Sequence, residues 1–490
     1  LVERGVTQAF LVTGGGAMHL NDAIGRTEGL QWLACHHEQA CAMAAQGYAR
    51  VTNRPALVQV TTGPGATNAI TGVFGAWVDS LPMIIVSGQV KRETLMRSFD
   101  LPGLRQLGDQ EVDIVRLVEP ITKYAACVTD PTTLVAHLDR AFVEATSGRP
   151  GPVWLDIPVD VQAASIRIDK PAFLSQPRLP NESVTETNVD RRMHEVYSRL
   201  SRARRPVLYL GSGVRLSGSA DLVSPLAEHL GVPVVTGFNA HDLIPTGHRL
   251  YAGRPGTIGD RVGNFAVQNS DCVLVIGCRQ NIRQISYNWE AFAKHAELIV
   301  IDVDPAELRK PTIHPSLAIE ADANKAMRAL LALPGLTDKR HAEWVSWLQD
   351  RRKQYPVVLP EYWTQDQPVN PYCFGQALSR EAAPDEVVVT GDGMACISTF
   401  QSFEVRGSQR LFSDSGSAPM GFDLPAAIGA QRATGRRVVC IAGDGSIMMN
   451  LQELQTIAGH SLPIKVFVFN NDGYLSIKLT QRGFFGGHLV

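Results

Sequence analysis

The segment from 443 to 474 constrains the fold of this chain more than any other stretch. It opens with Gly-Asp-Gly directly after the β-rich run 436–442, and it closes with Asn-Asn-Asp-Gly after a second such run, 464–469. The residues between have helical periodicity, which predicts a strand, a turn, a helix and a parallel strand. Both strands then end at one edge of the sheet, where open α/β sheets bind their ligands.

The polar groups expected at that edge suit a hard cation. Asp444 offers a carboxylate, Asn471 an amide oxygen and Gly473 a backbone carbonyl. Three such oxygens are typical protein ligands of Mg²⁺, which completes its octahedron with phosphate and water. The turn at Gly445 and Ser446 directs backbone N–H groups and a helix N-terminus at a diphosphate. From the spacing alone, an ordinary βαβ turn in which Asp444 only caps the helix is the alternative.

Five stretches together resemble a known family. The Gly-Asp-Gly and Asn-Asn pair, separated by residues 446–469, resembles the diphosphate and metal motif of thiamin-diphosphate enzymes. The stretches 37–50, 60–72, 82–90 and 419–430 match the same family in the same order. Over essentially its whole length the chain is similar to the acetolactate synthase branch, the large subunits of acetohydroxyacid synthases.

The resemblance and the alternation of strands with helices predict an α/β protein of three doubly wound parallel-sheet domains. We expect a pyrimidine-binding domain in 1–165, a central nucleotide-type domain in 188–333 and a diphosphate-binding domain in 370–490. The Pro-rich stretch 167–187 is typical of a linker. Residue 1 is not Met, and the chain stops just past the cofactor motif, so we expect the C-terminal domain to be incomplete.

Glu38 begins a helix that the pattern predicts over 37–50, with small residues on its face. From the pattern alone it either complements the helix dipole or performs chemistry. The resemblance implies chemistry: the family's glutamate binds N1′ of the aminopyrimidine and favours the tautomer whose N4′ accepts the proton from C2. A partly desolvated carboxyl with a raised pKa suits that role. We expect His36 and His37 to be structural.

The resemblance implies further contacts with cofactor and substrate. Met420 is expected to wedge under the cofactor, although a methionine that fills a core gap gives the same pattern. Gln110 matches the family's glutamine. The residue before it, aromatic in acetolactate synthases, is Asp109, which would repel an anionic acceptor unless it turns into solvent. The other residues expected near the cofactor or the substrate are Gly16, Pro64, Asn68, Gly393, Gly416 and Tyr474.

The central domain carries a second set of glycine turns and charges after its four expected strands, which lie within 206–214, 232–238, 272–279 and 298–305. This set suits a nucleotide or no ligand at all. Acetolactate synthases hold FAD there in a structural role, and arginines suit a pyrophosphate. The resemblance therefore implies an FAD site built from Gly211, Ser212, Gly213, Arg279, Arg283, Asp302 and Asp322.

Bulk composition excludes some partners. The formal net charge of −2 and the absence of a long apolar run argue against nucleic acid and membrane partners. The eight cysteines are scattered and form no Cys-x-x-Cys pair, which is typical of a reducing compartment. We therefore expect a cytoplasmic protein.

The resemblance implies an enzyme that uses thiamin diphosphate, Mg²⁺ and FAD to decarboxylate a 2-oxo acid, pyruvate in the first instance. The two-carbon unit would pass to an acceptor carbonyl, in a homodimer or homotetramer with active sites between subunits. A second pyruvate and another ketone, such as a nucleotide-linked keto sugar, are both open as acceptors. A simple decarboxylase and a catalytically silent cofactor-binding protein are the remaining alternatives.

Overall fold

A computed structural model describes residues 1–166, 186–336, 339–365 and 367–490. By their contacts these residues form two compact units. The first comprises residues 1–166, 387–393 and 413–490, and the second comprises 186–386, with its gaps, and 394–412. Most of the predicted linker lies outside the described residues.

Strands and helices alternate along the chain, as the sequence predicts. Within the described ranges the strands are β1 (Gln8–Leu11), β2 (Gln31–Ala34), β3 (Ala56–Val60), β4 (Met83–Gln89), β5 (Tyr124–Cys127), β6 (Pro152–Pro158), β7 (Pro206–Leu210), β8 (Val234–Thr236), β9 (Cys272–Ile276), β10 (Glu297–Asp302), β11 (Leu317–Glu320), β12 (Val387–Thr390), β13 (Arg410–Phe412), β14 (Val438–Gly443) and β15 (Ile464–Phe469).

The α-helices of the same ranges connect these strands. They are α1 (Met18–Arg26), α2 (Glu38–Thr52), α3 (Pro64–Asn68), α4 (Ile70–Val78), α5 (Ile114–Val118), α6 (Leu134–Thr146), α7 (Val159–Gln162), α8 (Glu186–Arg202), α9 (Ser212–Leu216), α10 (Val223–Leu230), α11 (Arg261–Asn269), α12 (Ile282–Ile285), α13 (Pro305–Leu308), α14 (Ala323–Leu331), α15 (Lys339–Gln354), α16 (Pro371–Glu381), α17 (Met394–Ser402), α18 (Asp423–Thr434), α19 (Asp444–Ile447), α20 (Glu453–Gly459) and α21 (Leu475–Phe484). No helix among the described residues is long and apolar enough to cross a bilayer.

The first unit contains two parallel sheets. One has six strands in the order β2-β1-β3-β4-β6-β5, and the other runs β12-β14-β15 within this unit. The central strands β3, β4 and β6 are buried along their whole length, as expected for parallel strands covered on both faces. The strand ends of both sheets therefore carry the exposed turns.

The second unit is built on a five-stranded parallel sheet in the order β11-β10-β9-β7-β8. Together with the two sheets of the first unit, it confirms the predicted fold class. The sequence pattern indicated only four strands here and missed β11. This short strand lies at the edge and alternates buried with exposed residues, a weak signal beside the apolar runs of the central strands.

Helices α2 and α18 form the closest packing in the first unit. Every residue from Ala40 to Arg50 is buried. A Cβ on Gly47 would lie 2.1 Å from the carbonyl oxygen of Ala426, and one on Gly429 would lie 1.8 Å from that of Ala44. The small residues of these two helices are therefore required by backbone-to-backbone contact, because a larger side chain has no room.

The helix predicted between the two motifs of the 443–474 segment is wrong in detail. Helix α19 ends at Ile447, a 3₁₀ turn covers Met448–Asn450, and α20 starts at Glu453. The break leaves Met448 and Met449 exposed while Asn450 is fully buried. At the break Asn450 Nδ2 donates to the carbonyl of Gly421 and to Gln39 within the first unit, and a periodicity count does not detect such contacts.

Candidate active site

The carboxyl ends of β14 and β15 bring Asp444 and Asn471 together, as the parallel register requires. Gly443 pairs with Phe469 at the last step of the ladder. One carboxylate oxygen of Asp444 then accepts the backbone N–H of Asn471 at 2.9 Å and that of Gly473 at 2.8 Å. The Asp444 carboxylate thus shapes the loop after β15 as well as its own turn.

Asp444 is held in its charged form. Partial burial pulls its pKa upward, but hydrogen bonds from the backbone N–H groups of Gly473, Asn471 and Gly445 outweigh burial and lower the pKa below its usual value. Three donors leave one of the four lone-pair positions of a carboxylate open. The open position can serve a cation.

The amide oxygen of Asn471 is the observation that fits a metal ion at this edge. It is buried and has no hydrogen-bond partner among the described residues, a state that normally costs free energy. The described residues contain no group of three or more His, Cys, Asp or Glu side chains that could hold a metal ion. A cation here would therefore rely on one carboxylate with amide and carbonyl oxygens, the mixture that Mg²⁺ accepts.

The hydroxyl of Ser446 serves the protein itself. It donates to Asp423 at 2.5 Å and accepts the backbone N–H of Gly421 at 3.0 Å. Asp423 is fully buried, and burial raises its pKa. A Cβ on Gly391 would lie 2.4 Å from the Asp423 carboxylate. The ends of β12 and β14 and the start of α18 are therefore joined through Asp423, which sequence analysis missed.

Met420 lies in a turn that a hydrogen bond from Asn450 stabilises. The next residue, Gly421, has a φ of 85° and also gives its carbonyl oxygen to Asn450 Nδ2 at 2.8 Å. Met420 itself is 39 % exposed, so the alternative of a methionine that fills a core gap is wrong. Gly416 lies in the preceding turn, 415–417, and is half-buried. The ring of Tyr474 lies over Gly445, where a Cβ would be 3.0 Å from it.

Glu38 lies at the first position of α2. His37 caps this helix, accepting the N–H of Gln39 on Nδ1 at 3.1 Å, which confirms a structural role for that histidine. One Glu38 oxygen accepts a hydrogen bond from Asn68 Nδ2 at 3.1 Å, and the other lies 3.3 Å from where a Cβ on Gly65 would be. The carboxyl is half-buried between the first turns of α2 and α3 and remains partly accessible to solvent.

Glycine turns at the ends of β1 and β3 surround this carboxyl. A Cβ on Gly16 would lie 1.9 Å from Thr62 Oγ1, and one on Gly63 would lie 2.0 Å from the carbonyl oxygen of Gln110. Gly63 has a φ of 59°, a left-handed conformation that favours glycine. The structure thus places Gly16, Pro64, Asn68 and Gln110 around one set of turns, with Pro64, Asn68, Asp109 and Gln110 exposed.

In the second unit the residues predicted to bind a nucleotide lie along one sheet edge, but several of them already contact other residues of the protein. A Cβ on Gly211 would lie 2.2 Å from the carbonyl oxygen of Gly277, and Gly213 packs on the same loop. The guanidinium of Arg283 lies 5.2 Å from the ring of Phe238. Asp322 caps α14 by accepting the N–H of Lys325.

The remaining predicted residues of that edge are Ser212, which begins α9, Arg279, and Asp302, whose carboxylate accepts the N–H of Asp304 at 3.0 Å. Gln280, which sequence analysis missed, is different. It is 1 % exposed with a φ of 45°, and neither of its amide atoms has a hydrogen-bond partner among the described residues. An unpartnered amide beside two arginines fits a polar ligand group at this edge.

Comparison with known proteins covers the whole chain. Three family profiles match: "Thiamine pyrophosphate enzyme, N-terminal TPP binding domain" over residues 1–117, the central domain over 193–330 and the C-terminal TPP binding domain over 372–490.

Among its relatives, the chain is 32 % identical over 486 residues to acetolactate synthase isozyme 1 large subunit of Escherichia coli, covering 99 % of this chain and 82 % of that protein. It is 34 % identical over 493 residues to acetolactate synthase of Mycobacterium bovis, covering 99 % and 77 %. It is 35 % identical over 479 residues to acetolactate synthase 1, chloroplastic, of Zea mays, covering 95 % and 71 %. The chain therefore belongs to the acetolactate synthase family of thiamin-diphosphate enzymes.

Proposed function

We propose that this protein is a thiamin-diphosphate-dependent carboligase that decarboxylates a 2-oxo acid, pyruvate in the first instance, and transfers the two-carbon unit to an acceptor carbonyl. Family membership and the names of its relatives support this reaction. The observation that carries the proposal is the Glu38 carboxyl, half-buried at a helix start, with Asn68 bound to one oxygen and Gly65 beside the other. A proton-transfer group needs this combination of partial burial and access.

Bound thiamin diphosphate would supply the electron sink for loss of CO₂. Glu38 would hold and release the proton of the pyrimidine ring, with Asn68 fixing the orientation of its carboxylate. Asp444 and Asn471 would bind Mg²⁺ through their side-chain oxygens and Gly473 through its carbonyl. The backbone of Gly445 and Ser446 would face the diphosphate.

The other predicted residues would complete the site. Met420 would support the cofactor from its exposed turn, with Gly393, Gly416 and Tyr474 near its ends. Gly16 and Gln110 would provide the substrate's polar contacts through the turns that surround Glu38.

The first test is turnover of pyruvate with thiamin diphosphate, Mg²⁺ and FAD, with identification of the carbon product. We expect Glu38→Gln to keep the fold and to lower turnover by at least about a hundredfold, the scale of general acid–base catalysis. Glu119→Gln, an exposed helix-start glutamate in the same unit, is the matched control. Equal turnover in wild type and Glu38→Gln would exclude the assignment.

The identity of the acceptor is a second question, because the Asp109 carboxylate favours an acceptor other than pyruvate. Its carboxylate is exposed beside Gln110 and has no hydrogen-bond partner in the described part of the chain. A carboxylate there repels an anionic 2-oxo acid and suits an acceptor with hydroxyl donors, such as a nucleotide-linked keto sugar. We expect Asp109→Phe to raise the share of acetolactate among the products. An unchanged product ratio would mean that Asp109 does not face the acceptor.

FAD is the nucleotide that we propose for the second unit. The unpartnered amide of Gln280 supports this, together with Arg279 on the same loop. The glycines of the Gly211–Gly213 turn give weaker support, because the Gly277 loop already requires them to be small. A colourless protein that takes up no FAD would exclude the proposal.

We further propose a homodimer in the cytoplasm. The exposed aromatic side chains Trp32 on β2 and Phe74 and Trp77 on α4 support a second copy as partner, because a dimer interface would bury them. A monomer by sedimentation at working concentration would contradict the dimer. All eight cysteines are free thiols, which supports a reducing compartment.

A further inference from the structure

The segment from Met96 to Gln110 lies within the connection between β4 and α5, residues 90–113, and contains no strand. It carries Asp109 and Gln110 and exposes most of its side chains, among them Phe99, Leu101, Leu104 and Leu107. Little apolar burial holds such a segment in one conformation. Its position must therefore depend on specific polar contacts.

Arg97 of the segment pairs with Asp113 at 2.5 Å, and three further contacts converge on one buried side chain, Glu111, which is 7 % exposed. One carboxylate oxygen of Glu111 accepts the backbone N–H of Met96 at 2.6 Å. The other accepts the N–H groups of Leu107 at 3.2 Å and Gly108 at 3.0 Å. A single carboxylate thus ties the beginning of the segment to its end, with hydrogen bonds of the stronger, charge-assisted kind.

The same end of the segment is fastened to the sheet. Gln89 at the end of β4 donates to the carbonyl oxygen of Val112 at 3.0 Å and to the buried Asp156 at 2.9 Å. On the other side, the carbonyl of Gln110 lies against Gly63, and Gln110 has a φ of 62°. Asp109 and Gln110 are therefore placed between the anchor at Glu111 and the glycine turn beside Glu38.

We propose that Glu111 is a positioning residue: its carboxylate holds the segment Met96–Gln110 in this conformation and so places Asp109 and Gln110 beside the substrate. That the segment faces substrate rests on the proposed function. The role of Glu111 in holding the segment rests on the geometry alone. The hydrogen bonds of the Glu111 carboxylate go to backbone N–H groups, so it acts on the reaction through the segment.

The test compares Glu111→Gln with Glu93→Gln, whose side chain is 75 % exposed at the start of the same connection. Both full-length variants are loaded with thiamin diphosphate and Mg²⁺. We expect hydrogen exchange at Met96, Leu107 and Gly108 to accelerate roughly tenfold or more in Glu111→Gln, because the amide offers one acceptor oxygen to three donors. Exchange in α2 should stay unchanged. The KM for the 2-oxo acid should rise about tenfold while thiamin diphosphate affinity changes less than about twofold.

Wild-type exchange rates at these three amides in Glu111→Gln would overturn the inference. Faster exchange with unchanged KM and product ratio would also overturn it, because the segment would then not contact the substrate. If wild-type protein does not turn over pyruvate at all, the proposed function fails by itself. The exchange measurement does not depend on turnover, so it still decides whether Glu111 holds the segment.

Discussion

Two sheet edges of this protein share the same sequence signals but use them differently. At the 443–474 edge a glycine turn and an aspartate follow β14, and the amide oxygen of Asn471 is left buried without a partner in the described structure. At the 211–322 edge the turn glycines pack against the Gly277 loop and Asp322 caps a helix, so the unpartnered polar atoms there belong to the amide of Gln280 instead. Glycines after strands are therefore often required by the packing of the fold itself. Polar atoms left without partners are the better evidence for a ligand.

The same contrast holds between two aspartates of the first unit. Asp444 is half-buried, accepts three backbone N–H groups, and has a lowered pKa with a lone-pair position to spare. Asp423 is fully buried against Ser446, and burial raises its pKa. The first has capacity for a cation. The second joins turns, and its two oxygens already accept the Ser446 hydroxyl and the Leu424 N–H.

The largest expected effect comes from replacing the aspartate at each of the two sheet edges. Asp444→Asn should lower turnover about a hundredfold or more. Replacing a residue that only orients a metal ligand typically costs about 10- to 100-fold, and removing the charge of a ligand itself should cost at least as much. Asp322→Asn is the matched change at the other edge and should alter the free energy of unfolding by less than about 0.5 kcal/mol, because asparagine caps helices as well as aspartate. Steady-state kinetics and thermal unfolding check both. Equal activity losses would contradict the contrast.

A second prediction concerns the glycines. Gly211→Ala should lower the free energy of unfolding by about 1–3 kcal/mol, because its Cβ would collide with the backbone of the Gly277 loop. Gly443→Ala should leave it nearly unchanged, since its Cβ would meet no atom closer than Ser446 Cβ at 4.0 Å. Chemical denaturation of both variants without any cofactor provides the measurement. If Gly211→Ala were as stable as the wild type, the Gly277 loop would not be what requires a glycine at this position.

A third prediction concerns stability against acid. Asp242 in the second unit is buried, which opposes its charge, but Arg215 and Arg410 outweigh burial and lower its pKa from 3.8 to about 2. Its folded pKa lies below the unfolded one, so this stabilisation, about 2 kcal/mol, is present above the unfolded pKa and is lost as pH falls through about 2. The stability difference between wild type and Asp242→Asn should therefore shrink over that range.

Asp423 gives the opposite sign and serves as the control. Its folded pKa is raised, so its contribution is largest at low pH and is lost as pH rises through the folded pKa. The stability difference between wild type and Asp423→Asn should shrink with rising pH, as followed by denaturation at a series of pH values. The same pH trend in both variants would contradict the assignment of the two carboxyls.

The sequence by itself determined the fold class and the strand ends at which the candidate residues lie. Apolar runs and glycine turns are local signals, so β14, β15 and the meeting of Asp444 with Asn471 follow from the chain alone. Glu38 at a helix start and His37 as a structural residue were also predictable, because helix-capping patterns lie within a few residues.

Only the tertiary structure decided which donors and acceptors of each polar group remain available to a ligand. Asp423 with Ser446, Asn450 with Gly421, and Glu111 with its three N–H donors join turns from different parts of the chain, and no local pattern reports such pairs. The break between α19 and α20 escaped for the same reason, whereas the edge strand β11 escaped because its pattern is short and weak. A sequence records which donors and acceptors exist, but packing determines which of them are consumed inside the fold and which remain for a ligand.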